Sequence, residues 1–292
     1  MKQIRLKAMA KINLGLDVVR KREDGYHEVR MIMQTVNLYD KLVITESDEP
    51  GIRLTTNLSF LPTGEDNLIY KAAKLLMDEF QIISGVDIYL QKFIPVAAGM
   101  AGGSTDAAST LIGMNKMFGL KLTRRELMER GVKLGADVPY CIMGGTALAE
   151  GIGEVLSSLP DVPKGYVLIA KPSVSVSTKF VYGNLKANEL TNHPEIDAQI
   201  AAIKKQDFRE MADLMGNVLE TVTIPAYPII QEIKDFMMAH GAVNSMMSGS
   251  GPTVFGLYRD HQAAERACNM LRESGMAKMV FLTTFIGQNP NV

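Results

Sequence analysis

Residues Pro95 to Ala108 read PVAAGMAGGSTDAA, which sets Gly99, Gly102 and Gly103 beside the hydroxyls of Ser104 and Thr105. Upstream, Val86, Ile88 and Leu90 alternate along VDIYLQKFI, the pattern of a half-buried strand. Downstream, Ala107, Ala108, Leu111, Ile112 and Phe118 recur at helical spacing, and Gly119 can close the helix. The order is strand, glycine-rich loop, helix N-terminus. Unpaired N–H groups and the positive end of the helix dipole converge there, which suits a phosphate and points to a nucleoside triphosphate. Glycine lets the backbone approach such a ligand closely. The stretch matches neither the GxxxxGK[ST] loop, nor the GxGxxG dinucleotide fingerprint, nor the protein-kinase signatures. A turn of small residues that only lets helix and strand pack closely would have a similar composition, so the loop alone leaves both readings open.

Lys11, Asn13 and Asp137 are the other residues with chemistry to offer. From Ala10 to Val18 the even positions Ala10, Ile12, Leu14, Leu16 and Val18 are apolar, while Lys11, Asn13, Gly15 and Asp17 occupy the odd ones. A regular strand puts the two sets on opposite faces. On its own, Lys11 reads as a solvated edge residue. Thr123-Arg124-Arg125-Glu126 is a capping box that opens a helix, and Gly135 can close it. Ala136-Asp137-Val138-Pro139 is then expected to be a loop, with Pro139 barring further helix, and Asp137 alone reads as a turn residue. Together the residues allow more. A carboxylate near a substrate hydroxyl can take its proton, while an ammonium holds the carboxylate ionised and offsets developing charge. Phosphoryl transfer asks mostly for positioning and electrostatic stabilisation, so a glycine loop, one lysine and one aspartate can suffice.

The elements that must position these groups are mixed. Asp24-Gly25 is a turn signal leading into Tyr26–Thr35, where Val29, Met31 and Met33 alternate. Residues 67–80 carry Leu68, Ile69, Ala72, Ala73 and Leu76 on one helical face. GGTALAEGIGE (144–154) reads as strand and turn. LPDVPKG (159–165) breaks the pattern and divides the chain into domains 1–162 and 163–292. Beyond it come a strand at 167–170, helical stretches to about 216 and an amphipathic helix over 228–240. A strand, the SGSGP run, the strand TVFGLY, a helix over 261–274 and the strand VFLTTF complete the chain. The second glycine run, Met247 to Pro252, reads equally as a hairpin turn or as a loop packed on the first and touching a phosphate. The fold class is α+β, with an N-terminal mixed-sheet domain and a C-terminal α/β sandwich.

Composition excludes several classes of function. A length of 292 residues allows two domains, and 47% hydrophobic with 22% charged residues is ordinary for a soluble globular protein. A net charge of −1 gives no electrostatic case for nucleic acid or an anionic membrane, so an anion site must be local. The N-terminal stretch lacks the apolar core of a signal peptide, and no 18-residue apolar run is present. Cys141 and Cys268 make no disulfide framework and fit a reducing cytoplasm. His27, His193, His240 and His261 show no zinc-site spacing, and the 19 methionines read as adaptable core filler.

These motifs carry a resemblance. PVAAGMAGGSTDAA resembles the central phosphate-loop motif of the GHMP kinase superfamily (galactokinase, homoserine kinase, mevalonate kinase, phosphomevalonate kinase), and AKINLGL and SGSGPTVFG are similar to its first and third motifs, in order. AKINLGLDV, DGYHEVRMIMQTV, EDNLIYKAA, GADVPYCIMGGTALAEGIGE and KPSVSVST resemble one branch, which phosphorylates a cytidine diphosphate-linked methylerythritol in the non-mevalonate route to isoprenoid precursors. The resemblance covers nearly the whole chain and implies a two-domain architecture with the active site in the cleft between the domains.

It implies Asp137 as general base, Lys11 as its electrostatic partner, and Asn13 beside the substrate hydroxyl. Tyr26 and His27 would hold the cytosine ring. Tyr182, or nearby Phe180, would stack on its other face, with Thr178 also lining the substrate. Asn67 and Lys92 would border the adenine of ATP. Gly99, Ala101, Gly102, Gly103, Ser104 and Thr105 would wrap its phosphates, with Pro95 and Ala97 leading in. Met100 stands where leucine is common and Thr105 where serine is common, changes that keep size or hydroxyl chemistry. No protein acids are set aside as metal ligands, so Mg²⁺ is expected to be held chiefly by ATP and waters. The expected partner is a small molecule, with a monomer and a homodimer both open and a cytoplasmic location. Another kinase of the superfamily and a non-catalytic nucleotide-binding module are the alternatives; a base and a cytosine clamp favour neither.

Overall fold

The computed structural model describes residues 2–291. β1 (Gln3–Lys21) and β2 (His27–Ser47) form a long hairpin. β3 (Ile52–Thr56), α1 (Leu68–Glu79), β4 (Gly85–Gln91), α2 (Gly102–Phe118), α3 (Arg124–Val132), α4 (Val138–Met143), β5 (Thr146–Glu150) and β6 (Val155–Ser158) follow. The chain continues through β7 (Tyr166–Lys171), α5 (Thr178–Asn184), α6 (Ile196–Lys204), α7 (Phe208–Asp213), β8 (Gly216–Asn217) and α8 (Glu220–Ala226). It ends in α9 (Ile229–Ala239), β9 (Asn244–Met247), β10 (Val254–Tyr258), α10 (His261–Ser274) and β11 (Met279–Thr284).

The first sheet is mixed, in the order β3-β4-β2-β1-β8, with β5 on β2 and β6 on β5; the second is β11-β7-β10-β9, antiparallel throughout. The architecture is α+β, as the sequence implies. Val167, Ile169, Phe255 and Leu257 of the second sheet meet Ile12, Leu14 and Ile32 of the first in one buried cluster. On the other face of the first sheet, Leu6, Leu16, Val18, Met31, Met33 and Ile44 pack with Ala107, Ala108 and Leu111 of α2 and Leu76 of α1.

These memberships overturn the expected alternation in β1. Leu6 and Leu16 face the α2 side, yet Ile12 and Leu14, of the same parity, face the second sheet. Irregular register between Met9 and Lys11, and again between Asn13 and Gly15, flips the strand twice. A bulge re-aims side chains in this way. As a result Lys11 and Asn13 point to the α2 face, at 5% and 0% exposure. They are not the solvated edge that regular alternation implies.

A second correction concerns Asp137. Pro139 does not bar a helix but opens one, lying in the first turn of α4 with Asp137 as N-cap residue. A first-turn N–H has no helical acceptor in any case, and proline supplies the helical φ ready-made. Elsewhere the signals hold. The Thr123–Glu126 capping box is formed, although its helix stops at Val132, short of Gly135. Gly119 ends α2 in the left-handed region, and α10 spans the expected 261–274. After β11 the chain crosses back to the first sheet through bridges Val36–Phe285 and Gly144–Gln288.

Candidate active site

Helix α2 begins without a cap. Ala101, its N-cap residue, has φ +56° and offers no side-chain hydrogen bond, so the first amides of the helix point outward unclaimed by any cap. Ala97, Gly99 and Ala101 all have positive φ, every second residue of the loop. Such alternation turns successive N–H groups into one concavity, an anion nest. Two alanines in this region store strain, a cost tolerated at sites that need the geometry.

The second glycine run is the β9–β10 hairpin turn and also packs on the first loop, through Ser248 Oγ, which donates to the Gly99 carbonyl at 2.9 Å. A Cβ on Gly99 would sit 2.1 Å from the Ser248 carbonyl oxygen, so only glycine permits the contact.

Both loops open on a cleft of about 900 Å³, lined from the first sheet by Lys11, Asn13, Tyr26 and His27. α1 and β4 contribute the segments around Asn67 and Lys92, the glycine loop contributes Pro95, Ala97, Gly99, Ala101, Gly102, Gly103 and Ser104, and Asp137, Thr178 and Tyr182 close the far side. Of the residues expected at the phosphates, Thr105 is not in the lining; it is buried at 2% exposure. Phe180 is also outside the lining, at 42% exposure, whereas Tyr182 faces in.

At one end Lys11 Nζ donates to Asn13 Oδ1 at 2.8 Å and stands 4.0 Å from Asp137 Oδ2, the two charged side chains being 6% and 33% exposed. The double flip of β1 delivers the lysine and the start of α4 delivers the aspartate. A lysine so buried cannot be a solvated ornament, since its charge must be met by partners.

At the other end the rings of His27 and Tyr182 lie 5.2 Å apart, tilted at 49°, and Tyr26 is exposed on the hairpin tip. His27 Nε2 is buried with no partner. Burial, helped by the charge of Lys21, pushes the imidazole below its usual value, so it is neutral at pH 7. Burial raises the Tyr182 phenol well out of range.

Lys92 and Asn67 are engaged structurally as well as lining the cleft. Lys92 Nζ bridges Asp40 Oδ2 at 2.5 Å and Asp106 Oδ2 at 2.8 Å, all three buried. Burial alone would lower the lysine, but the two carboxylates outweigh it and raise it. Burial likewise drives the Asp106 carboxyl above the usual range despite the lysine. Asn67 Oδ1 caps α1 by accepting from Ile69 N at 2.8 Å, while its Nδ2 donates to the Pro62 carbonyl at 2.7 Å. Sequence reasoning does not reach Asp40 and Asp106. Asp106 lies inside the glycine motif, which is a local signal for it; Asp40, 52 positions from Lys92, leaves none. Among the described residues no cluster of three or more histidine, cysteine or acidic side chains forms a metal cage, and no helix is long and apolar enough to cross a membrane.

Residues 67–145 match the GHMP kinases N terminal domain and residues 199–276 match GHMP kinases C terminal. A 4-diphosphocytidyl-2-C-methyl-D-erythritol kinase of Lachnospira eligens is 57% identical over 97% of this chain and 98% of its own length. The enzyme of that name from Lachnoclostridium phytofermentans is 58% identical over 97% of both chains. A crystal structure of 4-(cytidine 5'-diphospho)-2C-methyl-D-erythritol kinase superposes with a TM-score of 0.84 at 32% identity, covering 97% of this chain and 100% of that one. A homoserine kinase from Cytophaga hutchinsonii shares the fold alone, with a TM-score of 0.79 at 20% identity over 100% of this chain and 97% of its own. The two-sheet architecture, with an uncapped glycine loop against a hairpin loop, is that of a GHMP kinase. Within that class the chain belongs to the family of 4-diphosphocytidyl-2-C-methyl-D-erythritol kinases.

Proposed function

We propose that the chain transfers the γ-phosphoryl group of ATP to the 2-hydroxyl of 4-diphosphocytidyl-2-C-methyl-D-erythritol. The observation that carries this reading is the Lys11–Asp137 pair, 4.0 Å apart in the same cleft as the uncapped loop. The nest of Ala97, Gly99 and Ala101 and the first amides of α2 hold the phosphates. Asn67 and Lys92 form the wall beside the adenine, held in place by their bonds to Pro62, Ile69, Asp40 and Asp106. A bound Mg²⁺ would be held chiefly by phosphate oxygens and waters and would supply charge to offset that on the transferring group. Ser104, at the start of α2 in the cleft lining, is the oxygen that the chain offers beside them.

Asp137 takes the proton of the acceptor hydroxyl as its oxygen attacks phosphorus. Lys11, held by Asn13, supplies positive charge beside the developing transition state. At the far end Tyr26 and Tyr182 offer aromatic faces to the cytosine, and the free Nε2 of neutral His27 offers a hydrogen bond to its edge. That unpartnered nitrogen favours a base-bearing alcohol over a bare one, because a buried polar atom left unpaired costs free energy. A coupled ADP-release assay tests the chemistry. Asp137→Asn is expected to lose about 10²–10⁴ in turnover while remaining folded; turnover near that of the unaltered enzyme would remove Asp137 from the role of base.

A further inference from the structure

Lys11 and Asp137 lie 4.0 Å apart but 126 positions apart in sequence (137 − 11), on a strand and on a six-residue helix. A helix so short has little stability of its own. Something else must fix its distance from β1.

Beneath the pair runs a closed ring of buried hydrogen bonds. Thr35 is the register partner of Lys11 in the β1–β2 ladder, so the two side chains share a face. Tyr140 lies one turn below Asp137 in α4. Tyr140 OH reaches the Gly145 carbonyl at 2.7 Å and Thr35 Oγ1 at 3.0 Å, while Gly145 N donates to Thr35 Oγ1 at 3.0 Å. A phenol has one proton, and the carbonyl can only accept it. Tyr140 therefore donates to Gly145, and Thr35 donates to Tyr140. Every donor in the ring is used. The tail braces both sides: Ile286 N donates to the Thr35 carbonyl at 2.9 Å, and Asn289 Nδ2 donates to the Cys141 carbonyl at the end of α4 at 2.7 Å.

We propose that Thr35 and Tyr140 are positioning residues, whose hydroxyl pair sets the separation of Lys11 and Asp137 by locking the ladder position of the one to the helix of the other. The inference rests on the catalytic reading of that pair. Tyr140 is buried at 1% exposure and does not line the cleft, so its contribution passes through Asp137. A misplacement of the base by a fraction of an ångström lowers the rate of the bound complex more than it weakens binding.

Tyr140→Phe, which keeps the ring and removes the hydroxyl, is expected to lower kcat about tenfold with KM for both substrates within about twofold. Thr35→Val is expected to do the same, Thr35→Ser to restore most of the rate, and the Tyr140→Phe/Thr35→Val double variant to be no worse than the poorer single. A merely structural role would give instead a lowered Tm with kcat unchanged, or equal losses for Thr35→Ser and Thr35→Val; either result overturns the proposal. Should Tyr140→Phe not fold, the Thr35→Ser and Thr35→Val pair decides. Asp137→Asn measured alongside separates the two claims. If it is active, the catalytic reading fails; if it is inactive while the Thr35 and Tyr140 variants are unimpaired, only the positioning role fails.

Discussion

His27 shows how one residue carries information that its type does not. Its Nε2 is buried and unpartnered, and burial with Lys21 nearby holds the ring below its ordinary value. A lowered value means that the neutral, hydrogen-bonding form persists through the usual histidine range and is lost only at lower pH. KM for the cytidine-bearing alcohol is therefore expected to stay level from about pH 8 to about pH 6.5 and to rise as the pH falls further. Replacing His27 by alanine should raise that KM and abolish its pH dependence, as steady-state kinetics across the range would show. A KM that climbed already between pH 8 and 7 would contradict a depressed histidine. At this scale the sequence was legible in residue type more than in placement. Lys11, Asn13, Tyr26, His27, Asp137 and Tyr182 meet in one cleft. Regular alternation hides the burial of Lys11, because two breaks in the β1 register re-aim the residues between them. Thr35 and Tyr140 gave no local sign, since their hydroxyls meet only through tertiary pairing.

At the scale of elements, strand, glycine loop and helix are each weak alone, and their junction makes the site. Gly99 sits where a Cβ would strike the Ser248 carbonyl at 2.1 Å, at φ +72°. Gly99→Ala is expected to push the two loops apart, lower Tm and weaken ATP binding by at least about tenfold, as calorimetric titration would show. Behind the loop, Lys92 ties β2 to the first turn of α2 through Asp40 and Asp106, all three side chains being at most 5% exposed. Lys92→Met would leave two buried carboxylates facing each other without their cation. The expected cost is about 3–5 kcal/mol, seen as a lower midpoint in denaturant melts. An unchanged midpoint would mean that the cluster tolerates protonation without loss. α2 and α10 were legible because long periodic runs and glycine or aspartate caps mark them. α4 was not: six residues are too few to show a period, and its proline reads as a breaker until its first-turn position is known.

At the scale of the molecule, the chain closes on itself. Both sheets share one apolar layer, and the tail returns from β11 to the first sheet, where Asn289 satisfies the last carbonyls of α4. The α+β class and the order of the long helices and strands can be read from periodicity and turns, but β3, α4, β8 and α8 cannot. The tail's path cannot either, because Ile286 and Asn289 act through single hydrogen bonds that no pattern announces. One cleft joins the glycine loop, the Lys11–Asp137 pair and the Tyr26, His27 and Tyr182 rings, and in the proposed function phosphoryl transfer depends on the cytidine. The most direct test is ADP release with ATP and Mg²⁺, comparing 4-diphosphocytidyl-2-C-methyl-D-erythritol with methylerythritol phosphate, homoserine and mevalonate at equal concentrations. Turnover is expected on the cytidine-bearing alcohol and little on the others; equal turnover on a cytidine-free alcohol, or none on any, would contradict this dependence.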